Sequence, residues 1–394
     1  MAIPGRTPAR RRIRHPAVLA LVLALAPPFA ARQAGAQNAY VQTNLVSDVP
    51  GLAATLDPQL VNPWGVSFGP TTPFWVSDAG TGVTTLYNGA GEKQGLVVTI
   101  PGPGGGVPSV PTGQVFNGDA SAFMLSNGQA ARFIFAGATG TISGWNGAAG
   151  TTAMTVVNGA PDASYTGLAI ATSGAGPRLY GANFASGQVD VFDGTFTQIA
   201  TPGGFADPTL PAGYAPFNVQ TLGGEIYVSY AVFDPSTGED LPGAGNGIVN
   251  VFDTDGNLLR HLTAGGPLNS PWGLTLAPSG FGAFGGSLLV GNFGDGTIHA
   301  FDPVSGALLG QMLAPGGTPI VNEGLWALTF GNGGNGGSPD ILYFTAGIED
   351  ETHGLFGSLE VATVPEPATL SLVAGGLGLV GLAAARRRRR QQRG

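Results

Sequence analysis

Pro63-Trp64-Gly65-Val66-Ser67-Phe68-Gly69-Pro70 returns as Pro271-Trp272-Gly273-Leu274-Thr275-Leu276-Ala277-Pro278, and more loosely as Leu325-Trp326-Ala327-Leu328-Thr329-Phe330. Self-similar segments at a steady spacing mark a repeat architecture, in which each unit buries its apolar face against the next copy. Weaker copies at Ser121 to Leu125, Gly167 to Ala171 and Asn218 to Leu222 fill the interval. The result is six starts spaced by roughly 50 residues.

Each start is followed by a second apolar run: Phe74 to Ser77, Arg132 to Phe135, Leu179 to Ala182, Ile226 to Ser229, Leu288 to Gly291 and Ile341 to Phe344. A third run follows a glycine, clearest in Gly187 to Asp193, Gly247 to Asp253 and Gly296 to Asp302. Fourth runs include Leu96 to Ile100, Met154 to Val157, Leu258 to Leu262 and Ala307 to Gln311. Short β-branched and aromatic runs between glycine-rich turns read as strands, and four per unit is the pattern of a β-propeller blade. The sequence therefore predicts an all-β, six-bladed propeller over residues 37–361. The sixth unit is one strand short, and Tyr40 to Val46 lies before the first repeat, placed to supply it. That pairing would close the ring and cover an exposed sheet edge.

The repeats resemble those of NHL and YVTN-type propellers. The whole body, through Asn62-Pro63-Trp64-Gly65 and Phe74-Trp75-Val76-Ser77-Asp78, resembles an uncharacterised group of propellers that carry a C-terminal sorting tail. This chain has such a tail. Pro365-Glu366-Pro367, in a 362–367 linker, precedes the uncharged segment 368–385 and the arginines Arg386, Arg387, Arg388, Arg389 and Arg390, which open a basic tail over 386–394. A helix over 368–385 would span about 27 Å, enough for a bilayer core, and an arginine block holds its flank in the cytoplasm. This stretch resembles the PEP-CTERM tail of exported Gram-negative proteins. The resemblance implies recognition by an exosortase that removes the hydrophobic segment after a transient stay in the inner membrane. An ordinary single-pass anchor is the alternative, but it has no need of Pro-Glu-Pro.

The amino terminus agrees with export. Arg6, Arg10, Arg11, Arg12 and Arg14 form a basic region, Ala17 to Ala26 an apolar core, and Ala34-Gly35-Ala36 a cleavage site, so residues 1–36 read as a signal peptide. The residues expected around a twin-arginine motif are missing, which favours the general secretory route.

The chain has a net charge of −8, but in the body only Lys93, Arg132, Arg178 and Arg260 stand against 23 acids, or −19. So acidic a body repels phosphate backbones, which argues against nucleic-acid binding. With no cysteine, the exported domain must be held by its core alone.

Several conspicuous residues have structural readings. Asp78, Asn183 and Asn292 end second strands four residues before a glycine and are expected to shape turns. Trp64, Trp272 and Trp326 are expected to pack between blades. Gly65, Gly167, Gly273 and Ala327 are expected where the innermost strands crowd the axis. His261, His299 and His353 fall off the innermost strands, so a histidine metal centre or a Ser-His-Asp triad has little support. Glu349-Asp350-Glu351 reads as a solvated turn, with calcium ligation as the alternative.

One constellation points toward chemistry. Asn62, Asp119, Asn218, Asn269 and Glu323 align at the entrances to first strands, and converging carboxylate and amide oxygens suit Ca²⁺. Lactonase-like six-bladed propellers hold a catalytic calcium in such a place; the leading expectation is no cofactor, with Ca²⁺ as the alternative that the resemblance implies. The leading reading is a non-enzymatic surface or extracellular-matrix protein. Its disc would bind a polysaccharide, peptide or protein, by resemblance in an exopolysaccharide or biofilm setting. The alternative is a Ca²⁺-dependent hydrolase or lyase at the channel mouth.

Overall fold

In the computed structural model, which describes residues 39–106 and 108–362, six antiparallel sheets follow one another along the chain. Their innermost strands are Pro63–Ser67, Pro111–Phe116, Tyr165–Ser173, Tyr214–Leu222, Pro271–Leu276 and Leu325–Phe330. In the first five sheets, four strands pair in chain order. The sixth is completed as expected: Tyr40–Ser47 pairs antiparallel with Leu355–Val361. A short fifth strand, Thr55–Leu56, then adds in parallel to Tyr40–Ser47, a feature the sequence did not suggest. The second, third and fourth strands fall on the apolar runs read from sequence.

Every innermost strand bulges near its start, where the register with the second strand slips. Pro63, Pro111, Pro216 and Pro271 flank these slips, and a residue without an N–H cannot hold a ladder position. A bulge frees backbone carbonyls, and buried carbonyls need donors. Neighbouring blades supply them: Gln114 Nε2 donates to Gly65 O at 2.8 Å, Thr112 Oγ1 to Tyr165 O at 2.6 Å, and Asn218 Nδ2 to Trp272 O at 2.7 Å. The polar residues of the inner strands thus fasten blade to blade.

The crowding expected at the axis is present. A Cβ on Gly65 would strike the Thr112 carbonyl, one on Gly113 the Leu168 amide, and one on Gly167 the Asn218 side chain. Gly113 also corrects the blade register. The second unit begins at Pro111 rather than at Ser121, and Ser121 to Leu125 lies in the connection after the inner strand. That connection is apolar because Phe123 is fully buried against Phe196 of the third blade, with ring centroids 5.1 Å apart. Its apolarity is what imitated a strand.

Among the described residues the only helical segments are three short 3₁₀ turns, and no helix is long and apolar enough to cross a membrane. The signal segment 1–36, Pro365-Glu366-Pro367, the 368–385 span and Arg386 to Arg390 lie outside the described residues.

Candidate functional site

The tryptophans pack between blades as expected, and they do so at the axis. Trp64, Trp272 and Trp326 occupy the second position of their inner strands and meet at the axis. Trp64 stacks on Trp326 with centroids 3.6 Å apart, and Trp272 meets both edge-on at 6.2 and 5.8 Å. Phe293 stacks on the Trp326 ring at 4.1 Å, and Phe217 and Phe184 extend the cluster to blades four and three. Only axial residues can reach across five blades in this way. Trp272 Nε1 donates to Thr166 O of the third blade at 3.0 Å, and Trp326 Nε1 to Asn62 Oδ1 of the first at 3.0 Å. The rings thus fill the axis, and a void of about 20 Å³ lies at its waist, lined by Gly65, Gly113, Asn218 and Trp272 among others.

Above these rings the mouth opens into a cup of about 640 Å³. Trp64, Trp326, Phe184, Phe217 and Phe293 are among its aromatic lining, and Glu239, Asp240, Glu323, Asp350 and Glu351 bring carboxylates to it. The acids arrive on loops far apart in sequence. Glu239 and Asp240 lie between Glu225–Val232 and Ile248–Phe252, Glu323 precedes Leu325–Phe330, and Asp350 and Glu351 follow Leu342–Ala346.

Asn62 knits floor to rim. Its Oδ1 accepts from Trp326, and its Nδ2 donates to Glu351 Oε2 at 2.6 Å. Asn62 has φ 45°, and Glu349, Asp350 and Glu351 run consecutively at 53°, 52° and 63°, a left-handed stretch that L side chains rarely adopt. Glu323 Oε1 helps fix it by accepting from the Asp350 amide at 3.0 Å. Glu349 and Asp350 are exposed, as a solvated turn requires, but Glu351 is drawn partly inward.

Burial pushes the Glu351 carboxyl above its ordinary value, the Asn62 hydrogen bond opposes this, and the negative charges of Asp240, Glu239 and Asp350 add to the rise. Burial likewise raises Asp240, with Glu239 contributing. Both shifts report carboxylates whose charge is poorly compensated. The body's own cations are committed elsewhere: Lys93 pairs with Asp57, Arg178 with Asp255, Arg260 with Glu225, and Arg132 lies over the Phe116 ring. Three polar atoms here are buried without a hydrogen bond, the indole N–H of Trp64, Asp240 Oδ2 and the Ser270 hydroxyl, although Ser270 lies close enough to Asp240 to oppose the rise in its pKa.

The five residues aligned from sequence do not form one ligand set. Asn62 and Glu323 line the cup. Asn269 is buried nearby, its Oδ1 accepting from the Gly243 amide at 2.6 Å and its Nδ2 donating to Asp295 at 3.3 Å. Asn218 lies deeper, at the waist. Asp119 follows the exit of the second inner strand, at the end remote from the cup, where its carboxylate accepts from the Ser121 amide and hydroxyl at 2.7 and 2.6 Å. The misplaced start at Ser121 had carried Asp119 to the wrong end. Among the described residues no three His, Cys, Asp or Glu side chains are placed to hold a metal ion. Sequence reasoning missed Glu239 and Asp240, which sit in a loop without repeat counterparts.

Residues 363–390 match the PEP-CTERM protein-sorting motif. Over 333 residues the chain is 32% identical to an uncharacterized protein of Acanthamoeba polyphaga mimivirus, covering 80% of this chain and 78% of the relative. A second uncharacterized protein of the same virus is 33% identical over 351 residues, 84% of this chain and 88% of that one. Among solved structures, a protein of unknown function from Bacteroides thetaiotaomicron is similar with a TM-score of 0.50 at 12% identity, covering 82% of this chain and 76% of that one. That likeness concerns the fold alone.

Proposed function

Because the chain belongs to the family of these two mimivirus proteins and also ends in a PEP-CTERM sorting motif, we propose that it is an exported binding module that an exosortase delivers to the bacterial envelope. The motif implies export and exosortase processing. The binding role is carried by one observation: the axis is filled by tryptophans, and what remains at the mouth is an open, aromatic-lined cup of about 640 Å³. That volume falls within the range of about 300–1,000 Å³ usual for ligand sites. A rigid ring surrounding a closed-bottomed recess suits recognition of an envelope or matrix polysaccharide, with the disc as a scaffold in the cell-surface layer of a Gram-negative host.

Titration of the full-length protein in detergent with polysaccharide extracted from the producing cells tests this role. Tryptophan fluorescence is expected to shift, because Trp64 and Trp326 line the cup. No shift, together with an unchanged melting temperature, would overturn the binding reading. Sorting is tested separately. Replacing Pro365, Glu366 and Pro367 by alanine is expected to leave export intact and to accumulate an unprocessed, membrane-held form on immunoblots of cell fractions. Wild-type processing of that variant would refute sorting through this motif.

A further inference from the structure

We propose that the cup is a receptor for a cationic amino sugar, the free-amine hexosamine unit of a polysaccharide, with the ammonium group facing Asp240 and Glu351 and the sugar ring lying toward Trp64. The assignment rests on the binding role above and names its ligand.

Three observations converge on this chemistry. The carboxylates brought to the cup have no lysine or arginine beside them, since all four such residues of the body are engaged elsewhere, and His353 on the same loop is paired with Asp48. Like charges gathered in a partly buried recess repel one another, and a bound cation relieves that repulsion. The aromatic lining adds the second component, since Phe293 stays partly exposed beside the nearly buried Trp64, and aromatic rings attract cations and offer apolar surface to C–H groups. Trp64 supplies the third. With 8% of its surface exposed and its N–H unpartnered, it offers a buried donor that calls for an acceptor oxygen. Asp240 Oδ2 is likewise buried without a hydrogen bond, with the Ser270 hydroxyl close by. A simple metal ion satisfies the carboxylate but not the indole N–H. A free-amine hexosamine carries an ammonium, hydroxyl oxygens and an apolar ring face on one rigid frame, and so meets all three demands.

The test is calorimetric titration of the full-length protein in detergent at low salt with four probes: a β-1,4-linked glucosamine tetrasaccharide, its N-acetylated counterpart, a lysine-rich peptide and calcium chloride. The glucosamine oligomer is expected to bind at least about ten-fold tighter than the acetylated one, since acetylation removes a charge-assisted hydrogen bond. Asp240→Asn combined with Glu351→Gln is expected to abolish that preference without lowering the melting temperature, because neutral amides relieve buried like charges. Trp64→Phe, which keeps an aromatic ring but removes the N–H and part of the stacking area, is expected to weaken binding of both oligosaccharides by roughly two- to ten-fold. Equal binding of the two oligosaccharides, or an amine preference that survives the double substitution, overturns the assignment. Tighter binding of the peptide or of calcium, lost on the double substitution, also overturns it but leaves the binding cup standing. Binding of none of the four refutes the ligand class, and the polysaccharide titration then decides the cup itself.

Discussion

A chain lacking residues 40–47 is expected to lose cooperative folding of the ring. The strand does two jobs. It supplies the fourth strand of the last blade through a ladder to Leu355–Val361, and it ties that blade to its neighbour. Tyr40, fully buried, stacks on Phe281 at 4.8 Å and on Phe284 at 5.9 Å, both in the fifth blade, and its amide donates to Leu313 O at 2.8 Å. Gln42 and Asn322 exchange side-chain hydrogen bonds of 2.8 and 3.1 Å. Val46 is also fully buried and Leu45 nearly so. Each such apolar side chain contributes about 1.5–3 kcal/mol, so three of them rival a total stability of about 5–15 kcal/mol even before the ladder is counted. The bared edge of Leu355–Val361 would then invite association with other chains. Circular dichroism melts and size-exclusion profiles of the full-length deletion variant should show an early, broad transition and aggregation. A deletion variant that melts like the wild type would mean that the ring closes without this strand.

Trp326→Ala is expected to cost about 3–5 kcal/mol, the range for emptying a buried aromatic site. Trp326 is 1% exposed and touches Trp64, Trp272, Phe217 and Phe293, so no single neighbour can move in to fill the gap. Its loss also strips the donor from Asn62 Oδ1 and loosens the link to Glu351. The melting temperature should fall by roughly 5–10 °C. Leu309→Ala, at a site 52% exposed, should change it little and serves as the control. If both substitutions behave alike, the tryptophan cluster is not a structural keystone.

The recurring runs and the missing sixth-unit strand were legible because they are local. β-branched residues alternating over a few positions, and a glycine where a turn needs positive φ, act within one blade; Gly187 and Gly296, at φ 69° and 70°, illustrate it. Ring closure followed by counting strands, and the sorting tail by its uninterrupted apolar run between Pro-Glu-Pro and the arginines. The second blade was misread because its inner strand carries Thr112 and Gln114, polar residues whose purpose lies in the adjacent blades, where they serve the carbonyls of Tyr165 and Gly65.

What the sequence by itself determined was the number of blades, the strand that closes them and the sorting motif, all readable from patterns confined to neighbouring residues. The tertiary structure decided where the repeats point and what they gather. A tryptophan at the second position of an inner strand can lie anywhere between blades, and only the closed ring brings Trp64, Trp272 and Trp326 together at the axis. The acids of the cup come from loops more than a hundred residues apart, Glu239 with Asp240 and Asp350 with Glu351, and nothing in either loop announces the other. Closing the ring brings them to one mouth, and burial there, beside carboxylates of the same sign, gives Asp240 and Glu351 their raised pKa values.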